Sequence, residues 1–290
     1  FLSARVQLNL ELQYPALTSQ LLEIVYPHYL CPSPSMMIAA FEPDMEDGDL
    51  ADGYLLPRDT ELRSTLGEGD QTPCIFKTSS DVTLWPITIT EAEYIDTRGE
   101  LLAAGISQDT PARAGIRLRL SRAGNQPIAK LTLDNLVLFL NAEEGKNWPL
   151  HELLCTQVTG MAARSTDRRA DWVYDFLDGK VLPCGYDGQE ALLPTPQRSF
   201  DGYRLLQEYF AMPERFHFIE LQGLSAALTR AKGHDVDIYI LLEQGNAEID
   251  AGVTPKAFTL NATPAINLFH KRCDRVHISS STVEQHIVAD

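Results

Sequence analysis

The sequence predicts a strand-rich α+β protein: a helical arm over residues 1–35, an antiparallel β sandwich or barrel-like lobe over 36–145, and a mixed α/β lobe over 146–290. Three observations carry this. The opening segment has helix-favouring residues and an apolar face. The middle consists of short apolar runs with period-2 alternation, separated by turn residues. The last part interleaves helical and strand-like patterns. A length of 290 residues suits about two domains.

The elements follow in order. In residues 1–35, Val6, Leu8, Leu10 and Leu12 alternate as in a strand, whereas the Leu, Gln, Glu, Ala and Arg content favours helix. Pro15 fits the first turn of a second helix, with Leu17, Leu21, Leu22, Ile24 and Val25 as its apolar face and Pro27 at its end. Pro32 and Pro34 hold the next residues extended. From Met36 to about Leu140, alternation is clearest where Ile116, Leu118 and Leu120 flank Arg117 and Arg119, and where Leu131 and Leu133 flank Thr132. Residues 42–53 form an acidic loop. A short helix is expected over 147–160, and Asp178-Gly179 between two apolar runs signals a hairpin. In 199–213, Tyr203, Leu206 and Phe210 recur at helical spacing, widened by Leu205 and Tyr209, with Ser199 or Asp201 as the cap and Pro213 as the stop. A strand over 215–221, a small helix over 225–232 closed by Gly233, a strand over 236–243, and further strands within 255–269 and 274–281 complete the chain.

The formal charge is −16 and the pI about 4.8. Such a surface repels phosphates, which argues against non-specific nucleic-acid binding and against anionic lipid. Cys31, Cys74, Cys155, Cys184 and Cys273 are odd in number, dispersed and without a CxxC pair. That pattern suits a reducing cytosol better than a disulfide framework or zinc knuckle. No apolar run reaches the roughly 18 residues of a membrane helix, and residues 1–290 hold no signal-peptide pattern. The first residue is Phe1, which reads as a piece of a longer protein.

The search for chemistry returns no complete constellation. The histidines His28, His151, His217, His234, His270, His277 and His286 form no HExxH or HxH pair. An EF-hand frame starting at Asp47 fails, because Ala51, Asp52 and Arg58 hold its fifth, sixth and twelfth positions. Gly67 and Gly69 lack the third glycine of a dinucleotide loop, no P-loop exists, and Ser225 misses a nucleophile elbow. No cofactor or metal is therefore expected. The aromatic stripe of 199–213 reads as a helix buried on one face against a sheet, with a stacking platform for sugar or a partner as the alternative. Two other functions stay open: a carbohydrate-binding β-rich module using Trp85, Trp148 and Trp172, and a hydrolase using converging carboxylates.

Several segments taken together resemble one family. YPALTSQLLEIVYPHYLCPSPSM, LLPRDTEL, FKTSSDVTLWP, EALLPTPQRSFDGYRLLQEYFAMPERFHFIEL and LNATPAINLFHKRCDRV occur in the order found in TssF, the baseplate wedge protein of type VI secretion systems. The resemblance spans nearly the whole chain and corresponds to about the first half of such a protein without its opening helices. His270 stands where proline is common, and residues 164–183 match loosely. The resemblance implies a non-enzymatic structural subunit. Its expected partners are TssG, a second TssF copy, TssK, TssE and the VgrG hub, in a cytoplasmic assembly docked at the inner-membrane secretion complex without inserting into the membrane. The motif residues Phe200, Gly202, Tyr203, Leu206, Tyr209, Phe210, Pro213, Pro264, Asn267 and Phe269 are expected to be structural landmarks. Leu17, Leu21, Ile24, Val25, Tyr26, Tyr29 and Leu30 of the arm are the candidate interface, because their apolar face has no local partner.

Overall fold

Alternating side chains give a strand two faces, and fifteen strands among the described residues build the scaffold. The computed structural model describes residues 2–45, 50, 52–67, 69, 71–124, 126–143, 145–166, 172–176, 178–195, 199–276, 278 and 287–288. In order the elements are α1 (Leu2–Val25), β1 (Met36–Ala40), β2 (Tyr54–Leu56), β3 (Glu61–Arg63), β4 (Ile75–Thr78), β5 (Val82–Leu84), β6 (Ile87–Ile95), α2 (Arg98–Ala103), β7 (Ala114–Arg122) and β8 (Leu136–Leu140). They continue with α3 (Asn147–Thr156), β9 (Val158–Ser165), β10 (Val173–Phe176), β11 (Lys180–Pro183), α4 (Asp201–Ala211), β12 (Phe218–Gln222), α5 (Ser225–Leu228), β13 (Asp235–Leu242), β14 (Phe258–Thr259) and β15 (Ala262–Ile266).

The strands form a five-stranded sheet in the order β10-β9-β13-β7-β6, two four-stranded sheets, β11-β12-β8-β14 and β1-β15-β4-β3, and the pair β2-β5. Every pairing is antiparallel. The main core lies where Ile116, Leu118 and Leu120 of β7 and Ile238 and Ile240 of β13 meet Leu138 and Leu140 of β8 and Ile219 and Leu221 of β12. On the other face of the large sheet, Tyr239, Leu241 and Ala162 pack with Leu101 of α2 and Ile106. Beyond that patch Arg117 and Arg119 point outward into a charge ladder with Glu91, Glu93 and Asp237. The pairing crosses residue 145, since β13 bonds to β7 on one side and β9 on the other, and β1 bonds to β15. The 36–145 and 146–290 division thus follows chain order and not the sheets.

Several local expectations are corrected. Pro15 lies inside α1 and does not begin a second helix. Its fixed φ is helical, and only the N–H directed at the Glu11 carbonyl is lost, on a helix surface open to water. Leu131 and Leu133 are buried as their alternation requires, but they sit on extended chain after a 3-10 turn and form no strand. There the Asp134 carbonyl accepts the N–H of Leu224, which lies in a loop. Asp178-Gly179 does not close a hairpin: β10 pairs with β9, while β11 pairs with β12, so the turn carries the chain between sheets. A Cβ on Gly179 would lie 2.7 Å from Met161 and Phe176, so the passage is tight. Residues 215–217 belong to a 3-10 turn (Pro213–Phe216) and its cap, and the strand begins at Phe218. The helix α5 ends at Leu228, capped by Thr229 rather than Gly233. Asp274, Arg275 and Val276 are not in a strand, and His277 and Ser279–Ser281 lie outside the described residues, as do Asp47 and Asp49 of the acidic loop.

Candidate functional site

The helix α4 places its charged residues inward. Arg204 stands one turn after Asp201 and one turn before Glu208, so a single side chain reaches both. Its Nε and Nη2 donate to the two Asp201 carboxylate oxygens at 2.7 and 2.8 Å, and its Nη1 donates to Glu208 Oε2 at 3.0 Å. Glu208 Oε1 accepts the backbone N–H groups of Leu192 and Leu193 at 3.0 and 2.9 Å. Pro213 stops the helix, and the 3-10 turn that follows brings Arg215 back under it to pair with Glu208. Arg215 Nη2 also donates to the carbonyls of Gly185 and Glu190 at 2.8 and 3.1 Å. Arg204, Glu208 and Arg215 are fully buried. Burial, and then the positive charge of Arg204, pull the Arg215 guanidinium down to about 10, where it still stays protonated at neutral pH. Buried charges are tolerated only when paired and hydrogen-bonded; loop 185–193 meets that condition for Glu208 and for Arg215 Nη2, while Arg215 Nε has no hydrogen-bond partner among the described residues.

With Arg204 and Glu208 inside, helical geometry turns the apolar stripe outward. Phe200 is 71% exposed and Phe210 81%, and Tyr203, Leu206 and Tyr209 are exposed as well. The expectation of a stripe buried against a sheet is overturned. An arginine and a glutamate four apart look like a solvated pair, and their spacing alone does not show that Glu208 accepts donors from loop 185–193. The cap differs too: Phe200 holds the N-cap position without a side-chain bond, Asp201 is committed to Arg204, and Ser199 donates to the Val25 carbonyl at 3.0 Å. Gly202 has a distinct purpose. A Cβ there would lie 2.3 Å from the Phe200 ring, so glycine leaves room for the ring to fold over the helix start, edge-on to Tyr203 at 5.7 Å.

The arm joins this surface at its base. Tyr26 is 3% exposed, unlike the rest of its candidate group, and so is corrected to an anchor. Its hydroxyl donates to Gln207 Oε1 at 2.6 Å, and its ring lies 5.8 Å from Tyr203. Leu17, Leu21, Ile24, Val25, Tyr29 and Leu30 are exposed. At the far end of α4, Tyr209 lies 5.9 Å from Trp148, whose ring meets that of His217 at 4.4 Å. His217 is buried with neither ring nitrogen hydrogen-bonded among the described residues, and burial lowers its pKa and that of His151.

The remaining motif residues are stapling points. Pro264 sits in β15 between two other strands, an unusual place for proline. Its carbonyl accepts from Ser79 N–H at 2.9 Å, just beyond the Thr78–Ala265 end of the β4 ladder, so the missing N–H falls at the end of that pairing and not within it. Asn267 ties strand ends together, donating from Nδ2 to Ile75 O at 2.7 Å and from its backbone to Ser35 O at 2.8 Å. Phe269 follows on the surface.

A cleft of about 460 Å³ lies between Arg58, the turn at Ser79–Asp81, Trp85, Glu190 and Glu220. Its carboxylates are engaged: Asp81 accepts the Arg58 N–H, Glu190 those of Gly185 and Asp187, and Glu220 the Gln222 amide. Of the tryptophans only Trp85 lines it; Trp148 lies against His217, and Trp172 sits just before β10. Burial pushes the thiols of Cys155 and Cys184 up to about 11 and 12, so neither is a thiolate at neutral pH. Among the described residues no group of His, Cys, Asp and Glu is arranged to hold a metal ion, and no helix is long and apolar enough to cross a membrane.

These features define a class: a strand-rich scaffold that displays apolar helix faces. The chain belongs to the TssF family of type VI secretion systems, whose model matches residues 1–290. It is 39% identical over 290 residues to type VI secretion system component TssF1 of Pseudomonas aeruginosa, covering 100% of this chain and 46% of that protein. It is also similar to a chain in the cryo-electron microscopy structure of the type VI secretion system TssK-TssF-TssG baseplate subcomplex, with a TM-score of 0.72, 25% identity and coverage of 94% of this chain and 48% of that one. The chain thus spans about half the length of the relatives it matches.

Proposed function

We propose that this chain is part of a structural subunit of the type VI baseplate wedge, assembling with TssG and TssK and, in the wider complex, with a second TssF copy, TssE and the VgrG hub. In this reading it shapes surfaces for other polypeptides and turns over no substrate, in a cytoplasmic assembly docked at the inner-membrane complex. Family membership and the baseplate subcomplex of the structural neighbour support it. The observation that carries it is α1. This helix of 24 residues, about 36 Å long, shows exposed apolar side chains, and it is tied down at its C-terminal end, where Ser199 holds Val25 and Tyr26 is buried. Tyr14, Leu17, Leu21 and Ile24 recur at alternating steps of three and four, the a/d seam of a helical bundle.

The test uses the full-length protein co-expressed with TssG and TssK. Replacing Leu21→Asp and Ile24→Asp together is expected to cut recovery of the complex by at least about tenfold, with the melting temperature of the free protein moving by less than about 2 °C. Equal loss of stability would make α1 core instead of interface, and failure of the native protein to co-purify would contradict the wedge reading.

A further inference from the structure

The outward face of α4 is a second apolar surface, and the seam of α1 does not account for it. Phe200 and Phe210 stand at its two ends, about 15 Å apart along the axis, with Tyr203 and Leu206 between them. That length matches two to three turns of a helix laid along it, read by anchors about three and four residues apart. The face is built for presentation. Gly202 makes room for the Phe200 ring, and the buried Arg204–Glu208–Arg215 cluster fixes the helix from behind, so little order remains to be imposed on binding.

Charge indicates what covers it. Glu214 is exposed just past α4, and α1, which meets α4 through Tyr26 and Tyr203, carries exposed Glu11 and Glu23 and no lysine or arginine from Val6 to Val25; Asp201 is already paired with Arg204. Among the described residues between 181 and 216 the only cations are Arg204 and Arg215, both fully buried and paired; Arg198 lies outside the described residues. The whole chain carries −16. A second copy would bring the same carboxylates against this face, whereas a basic partner gains from them. We propose that the outward face of α4 docks an amphipathic helix of a different polypeptide, apolar on one side and flanked by lysine and arginine. This rests on the wedge reading and names the chemistry of one of its partners.

The experiment places p-benzoylphenylalanine at Phe210 of the full-length protein in its complex with TssG and TssK, and maps the photo-crosslinked peptide. The expected product joins position 210 to a partner segment with helical apolar spacing and flanking basic residues. Phe210→Asp is expected to weaken the complex by at least about tenfold, and the wild-type complex to weaken as salt rises. Gly202→Ala, which displaces the Phe200 ring, is expected to weaken it several-fold. Because Phe210 is 81% exposed, Phe210→Asp should leave the melting temperature of the free protein unchanged, which separates docking from folding. A crosslink to a second copy, to the protein's own chain, or to an acidic or uncharged partner segment would overturn the proposal. So would an intact complex in which position 210 forms no crosslink, and that result would leave the wedge reading standing. Absence of the wild-type complex would take down both.

Discussion

Glu208 takes both guanidinium groups and two backbone N–H groups into one buried carboxylate. Its removal leaves Arg215 without its carboxylate partner in the interior and Arg204 with Asp201 alone, a loss of about 3–5 kcal/mol. Glu208→Ala is expected to lower the melting temperature by about 10 °C, whereas Phe210→Ser, two residues along the same helix but on its exposed face, should leave it nearly unchanged. Calorimetry of the two variants checks both. His217 gives a pH signature. Burial lowers its pKa, and that of His151, below the value of the unfolded chain, so the unfolded state binds protons that the native state refuses. This part of the stability is complete above the ordinary histidine pKa of about 6.5 and declines as pH falls through it. Asp201, lowered chiefly by its hydrogen bonds to Arg204, acts in the same direction further into the acid range. Melting curves from pH 7.5 to 5.5 should show the decline, and His217→Phe, which keeps a ring against Trp148, should flatten it. An equally steep slope in that variant would remove His217 as its source.

At the scale of elements, legibility depended on whether the decisive contact was local. β7 was readable because alternation and burial coincide along it, and β13 because its apolar run is buried on both faces. The helix span of α4 was readable from the helical spacing of its apolar residues and its stop from Pro213. Its orientation was not, because the donors that draw Glu208 inward, Leu192 and Leu193, lie in a loop that no periodicity marks. A signal did exist in Arg204 and Glu208 four apart with a further arginine just past the helix stop, but the same spacing is common on solvated faces. The turn at Asp178-Gly179 misled in a related way, since turn chemistry states that the chain reverses but not which sheet receives it. For the arm, exposure of Leu17, Leu21 and Ile24 agrees with an unpartnered face, while Tyr26 is an anchor that composition alone could not separate from its neighbours.

At the scale of the molecule, strand pairing across residue 145 makes one connected scaffold of what chain order divides. Upon it, α1 and α4 present adjoining apolar faces, linked through Tyr26 and Tyr203. The formal charge of −16 opposes non-specific aggregation and favours basic partner surfaces. The central claim is that these two helix faces are where other polypeptides bind. Hydrogen–deuterium exchange of the full-length protein, free and in complex with TssG and TssK, tests it most directly. The expected result is strong new protection across residues 6–26 and 200–212 on assembly, while β7 and β13, already protected in the free protein, stay unchanged. Assembly that leaves both helices exchanging at their free rates, with protection appearing elsewhere in this region, would contradict it.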